Sequence, residues 1–111
     1  MTGRELLDEH VDLFNAAVRS GDFGPMLEQF DDDAEMELVG VPVGPFRGRE
    51  EIAAAYREQP PDDELELLDV GEQAGHVAAG YAWLREPGVR AGELQISHDG
   101  AAIRKLVVSF E

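Results

Sequence analysis

The sequence has no cysteine, which excludes disulfides and thiolate metal sites and suits a reducing cytoplasm. Basic residues are also scarce. Nine Lys and Arg face 24 Asp and Glu, a formal charge of −15. A nucleic-acid backbone and an anionic membrane surface are repelled by such a field, so neither is expected as a partner. No apolar run approaches the length of a membrane span. The opening residues Met1-Thr2-Gly3-Arg4-Glu5 become charged at once, unlike a signal peptide, so a soluble, cytoplasmic protein is expected. His10, His76 and His98 lie on different predicted elements without zinc-ligand spacing. Glycine-rich phosphate loops, nucleophile elbows and calcium-loop patterns are missing too. Neither a metal nor a cofactor is expected.

What is present is enough for one domain, residues 1–111, with a normal apolar share of 43%. Thr2 and Glu5 have capping-box spacing, and Leu7, Val11, Phe14 and Val18 recur at helical intervals until Gly21. Asp22 and Pro25 open a short second helix with Met26, Leu27 and Phe30 as its apolar residues. Asp31-Asp32-Asp33 breaks that helix. From Ala34 to Val39, apolar and acidic residues alternate as in a half-buried strand. Pro42, Gly44, Pro45 and Gly48 mark turns. A third helix is predicted from about Arg49 to Glu58, stopped by Pro60-Pro61. Strands are predicted at 65–70, 77–85, 92–97 and 103–110, with Asp99-Gly100 as a hairpin signal before the last. Short connections favour antiparallel neighbours, and helices segregated from strands make the class α+β.

The helix ending Ala16-Ala17-Val18-Arg19-Ser20-Gly21-Asp22, the strand opening Phe30-Asp31-Asp32-Asp33-Ala34, the segment Pro45-Phe46-Arg47-Gly48-Arg49-Glu50-Glu51-Ile52 and the final strand after Asp99-Gly100 together resemble the nuclear transport factor 2-like superfamily. The likeness is to its SnoaL-like and ketosteroid-isomerase-like branches. It covers nearly the whole chain. It implies a cone: a curved antiparallel sheet wrapped around a long N-terminal helix, two shorter helices, and a pocket at the open end. It also implies a homodimer paired through the sheets. Members isomerise steroids, cyclise polyketides, hydrolyse epoxides or only bind partners, so the fold does not assign the activity.

Ketosteroid isomerases carry a tyrosine on the first helix and a carboxylate base on the first strand. Those positions fall here on Phe14 and Leu38, and neither transfers a proton, which argues against steroid isomerisation. An epoxide hydrolase's Asp-Arg-Asp set has no match. The second acid of the isomerases falls on Glu93 counted back from Ile103, or on Leu94 counted from Gly100. If Glu93 faces inward, an apolar wall raises its pKa and fits it for acid/base catalysis on a small carbonyl compound. If Leu94 and Ile96 face inward, Glu93 belongs to the solvent face.

The candidate binding wall comprises Phe14, Met36, Leu38, Tyr81, Trp83, Leu106 and Val108. Tyr81 and Trp83 are read as cavity lining beside a small-residue face, with ordinary core as the alternative. Arg85 and Arg104 join the candidates as holders of a carboxylate at the mouth, with solvated strand ends as the alternative. His10 lies one turn before Phe14, within reach of the cavity, with a partly exposed helix residue as the favoured account. The expected ligand is a small apolar molecule such as a ketone or a carboxylate. A homodimer without chemistry, whose pocket holds a small molecule or whose sheet recruits a protein, competes with the enzyme.

Overall fold

The computed structural model describes residues 2–111. Helix α1 spans Gly3–Ser20. Its start has both halves of the capping box: the Thr2 hydroxyl accepts from the Glu5 N–H at 3.1 Å, and the Glu5 carboxylate accepts from the Thr2 N–H at 3.0 Å. Two of the donors orphaned at a helix start are satisfied in this way. Gly21 ends the helix at φ 82°, in the left-handed region that a side chain disfavours. Leu6, Leu7, His10, Val11, Phe14 and Ala17 form the buried face. Helix α2, Gly24–Leu27, is a single turn. Phe23 rather than Asp22 occupies its cap position, although the Asp22 carboxylate does accept from the Gly24 N–H at 2.9 Å.

The remaining elements are β1 (Phe30–Val39), β2 (Phe46–Arg47), α3 (Arg49–Glu58), β3 (Leu65–Gln73), β4 (His76–Trp83), β5 (Gly92–His98) and β6 (Ile103–Phe110). The triple aspartate does not separate α2 from β1 but lies within the strand, where Asp31–Ala34 bulge from the ladder between the Phe30 and Glu35 pairings. The six strands form one sheet in the order β2-β1-β6-β5-β4-β3. Helices packed on one face of such a sheet make the nuclear transport factor 2-like α+β fold.

The sheet is mixed, not antiparallel throughout. β1 and β6 run parallel, with Met36 opposite Leu106 and Leu38 opposite Val108. Parallel neighbours need a long crossover. Here that crossover contains α3 and four strands, so no local turn signal marks the pairing in the sequence. Bulges also interrupt β3 and the β5–β6 ladder, and each bends its strand and strengthens the local twist. The resulting curvature leaves the sheet concave toward α1 and α3. The hydrophobic core lies between them, with Phe30, Ile52, Ile96, Ile103 and Leu106 fully enclosed.

Gly92 is required by a close approach. A Cβ there would overlap the Ser109 carbonyl oxygen and lie 3.0 Å from Cε1 of Tyr81. The vacancy lets the Tyr81 ring cross β5 and donate its phenol proton to the Ser109 carbonyl at 3.0 Å.

Candidate functional site

The concave sheet, α1, α3 and the turn segment around Val41–Gly44 surround an open-mouthed cavity of about 810 Å3. That is within the range of small-molecule sites. Alternate residues of a strand share a face, and this period sets the wall. Met36 and Leu38 come from β1, Tyr81 and Trp83 from β4, Leu94 from β5, and Leu106, Val108 and Phe110 from β6. Phe14 enters from α1, and Ala55 and Tyr56 from α3. Rings brace the wall: Tyr56 stacks on Phe23 at 5.0 Å between centroids, Phe14 meets Phe23 edge-on, and Tyr81 meets Trp83 edge-on at 5.4 Å.

Seven of the ten residues singled out in the sequence therefore converge on this one hollow: Phe14, Met36, Leu38, Tyr81, Trp83, Leu106 and Val108. Three do not. Glu93 is on the opposite face of β5, because Leu94 takes the inward position between Ala79 and Val108. Its carboxylate accepts from Gln95 Nε2 at 2.7 Å and lies 3.5 Å from the Arg90 guanidinium, which also pairs with Asp69 and Glu111. It is a member of an outer-face charge network and is remote from the cavity wall.

Arg85 follows the end of β4 rather than lying within it. A turn begins after Trp83, closed by the Glu86 N–H to the Trp83 carbonyl, and strand parity ends there. The Arg85 guanidinium pairs with Asp62 and Asp63 and sits 5.9 Å from the Trp83 ring centroid. Arg104 is the extra residue of the β6 bulge: Ser97 opposes Lys105 and His98 opposes Ile103, leaving Arg104 unmatched. This is why Ile103 and Leu106, three apart, are both enclosed while Arg104 turns out to Asp31 and Asp99.

Sequence reasoning also misplaced His10. It is 3% exposed and lines the cavity. Its Nδ1 is 3.0 Å from Oε1 of Gln29, whose Nε2 reaches the Leu6 carbonyl at a long 3.5 Å. The reversed amide would set two oxygens against each other at Leu6, so the Gln29 carbonyl end faces the ring and Nδ1 is the donor. Burial outweighs the Gln29 hydrogen bond and lowers the imidazole pKa to about 4, leaving it neutral at pH 7. The signal for His10 was its position four residues before Phe14, on the same helix face.

Tyr56 and the Val41–Gly44 turn were likewise absent from the sequence-derived wall, whereas Leu94 was one of its two alternatives for β5. Burial raises the Tyr56 phenol well above the usual range, and burial with the nearby Glu111 charge raises Tyr81 to about 12, so both stay protonated. Glu58 and Asp62 lie at the cavity margin, and no Lys or Arg lines it among the described residues. Nor do those residues include a group of His, Asp and Glu placed to hold a metal ion, or a helix long and apolar enough to cross a membrane.

Solved structures of the same fold span a range of descriptions. A nuclear transport factor 2-like protein of unknown function from Cytophaga hutchinsonii superposes with a TM-score of 0.76 at 17% identity, covering 100% of this chain and 91% of that one. A candidate ketosteroid isomerase from Kribbella flavida gives 0.75 at 14% identity, covering 97% and 76%. A SnoaL-like protein of unknown function from Burkholderia thailandensis gives 0.73 at 19% identity, covering 99% and 98%. Identities this low establish the fold alone. No curated protein matches the sequence. The family model for the SnoaL-like domain, however, matches residues 11–107, nearly the full set of helices and strands that build the cavity, and the chain belongs to that family.

Proposed function

We propose that this protein binds a small, largely apolar molecule in the cavity between α1, α3 and the concave face of the sheet. One observation carries the reading: a hollow of about 810 Å3 walled mainly by hydrocarbon and aromatic rings from all six strands and two helices. A space of that size with an apolar wall favours a ligand that leaves water by burying its own surface. The inward positions that carry reactive groups in steroid isomerases hold Phe14 and Leu38, which favours retention of a ligand over steroid isomerisation.

The test is a panel of apolar ketones, carboxylic acids and phenols followed by thermal shift and by amide chemical shifts of labelled protein. At least one class stabilises the fold and perturbs amides around Phe14, Tyr81 and Leu106. Leu38→Trp, which fills the half-buried mouth, removes that response. Failure of the whole panel, or an unchanged response in a folded Leu38→Trp variant, refutes the reading.

A catalytic role is the second reading, favoured by a neutral imidazole against the cavity wall and by isomerase descriptions among the structural neighbours. It would act on a small carbonyl compound, and His10 rather than Glu93 would move the proton. Product detection by mass spectrometry decides between turnover and simple retention. The same proposal takes the protein as a homodimer paired through the outer face of the sheet. Light scattering that gives a monomer mass at micromolar concentration rejects the dimer.

A further inference from the structure

We infer that His10 is the polar anchor of the cavity, with Nε2 accepting a hydrogen bond from a hydroxyl of the phenol or enol class on the bound molecule. This rests on the binding reading above and adds the ligand chemistry to it. His10 is buried (3% exposed) yet lines the hollow. Its Nδ1 proton is committed to Gln29, and Gln29 is in turn committed to Leu6. Nε2 has no hydrogen-bond partner among the described residues. It is also not one of the wholly enclosed unpaired atoms, which leaves it open to the cavity that its ring lines. With its proton fixed at Nδ1, the ring presents a lone pair there, and a lone pair selects a donor.

The surroundings select the same class. No Lys or Arg among the described residues lines the wall, Glu58 and Asp62 stand at the margin, and the chain carries −15. A carboxylate entering this space would lose water without gaining a counter-charge. An ether or a plain hydrocarbon would bury the same apolar area but displace water from Nε2 and leave it unpaired, and an unmade hydrogen bond costs affinity. A hydroxyl attached to an aromatic ring or an enol double bond satisfies both demands with one neutral donor.

The probes are 2-naphthol, 2-methoxynaphthalene and 2-naphthoate, titrated by calorimetry and by nitrogen-15 spectra of histidine-labelled protein. The spectrum of the free wild type at pH 7 shows a neutral His10 with its proton on Nδ1, and this measurement needs no variant. A proton on Nε2 overturns the inference. 2-Naphthol binds about tenfold tighter than its methyl ether, shifts the Nε2 resonance, and binds tighter than the naphthoate. His10→Phe erases the preference for the naphthol while holding the ether within about twofold. A preference that survives in His10→Phe, or equal binding of naphthol and ether by the wild type, overturns the anchor and leaves the apolar cavity intact. Absence of binding by both naphthol and ether overturns the anchor, and only failure of the whole panel removes the cavity reading with it.

Discussion

His10 makes the stability of this protein depend on pH in a way that one substitution isolates. An unfolded histidine titrates near 6.5, whereas burial holds His10 down to about 4 in the folded chain. The folded state therefore excludes a proton that the unfolded state binds. Stability from this source is fully present above pH 6.5 and is lost as pH falls toward 4. The full displacement is worth about 3 kcal/mol at ~1.4 kcal/mol per unit, and about 2 kcal/mol of it falls between pH 7 and pH 5. Other groups titrate in the same range, so wild type is compared with His10→Gln, whose amide still offers a donor to Gln29 Oε1. The carboxylates, including Glu5 and Asp99 whose pKa values hydrogen bonds lower, are common to both proteins and cancel. Urea unfolding at pH 7, 6 and 5 gives the two profiles. Wild type loses about 2 kcal/mol more than His10→Gln across that interval. Profiles that run parallel within about 0.5 kcal/mol would show that the imidazole is hydrated or charged in the folded state, and the reasoning from burial would fail.

Gly92→Ala forces a methyl group into the Ser109 carbonyl and the Tyr81 ring, and urea unfolding registers a loss of about 2 kcal/mol or more; a loss under about 0.5 kcal/mol refutes the close approach. Thr2→Ala removes the hydroxyl half of the capping box at α1, and the same assay reads about 1 kcal/mol, with no change expected in the far-ultraviolet circular dichroism at 25 °C; a neutral outcome denies the cap. Glu93→Gln leaves the dissociation constant of any ligand found for the cavity within about twofold, since its carboxylate faces Arg90 and Gln95 on the outer side of the sheet; a tenfold loss would restore Glu93 to the site.

The extent to which the sequence foretold this molecule follows the range of the interactions involved. α1 was legible because its cap and its apolar face are written within a few residues of each other: Thr2 with Glu5, then Leu7, Val11 and Phe14. The inward parity of Met36 and Leu38, of Tyr81 and Trp83, and of Leu106 and Val108 was legible for the same reason, a period of two held over a short run. Arg104 and Arg85 were misjudged where that period stops, at a one-residue bulge and at a turn after Trp83 that no proline or glycine marks at the point of change. Glu93 depended on counting across the Asp99-Gly100-Ala101-Ala102 turn, where one residue of slip exchanges the two faces. His10 was misjudged because its polarity argued for exposure, while its partner Gln29 lies 19 residues away. The parallel pairing of β1 with β6 has the longest reach of all and leaves no local trace.

That pairing also orders events during synthesis. β6 is translated last of the six strands yet lies inside the sheet, hydrogen-bonded to β1 on one side and β5 on the other. Until it leaves the ribosome, the β1–β2 ribbon and the β3–β4–β5 meander have no common neighbour, and each exposes an unpaired apolar edge. The hollow cannot close around anything before that moment. A nascent chain halted after β5 is therefore an aggregation-prone intermediate, and the final strand acts as the keystone that turns two open fragments into one vessel.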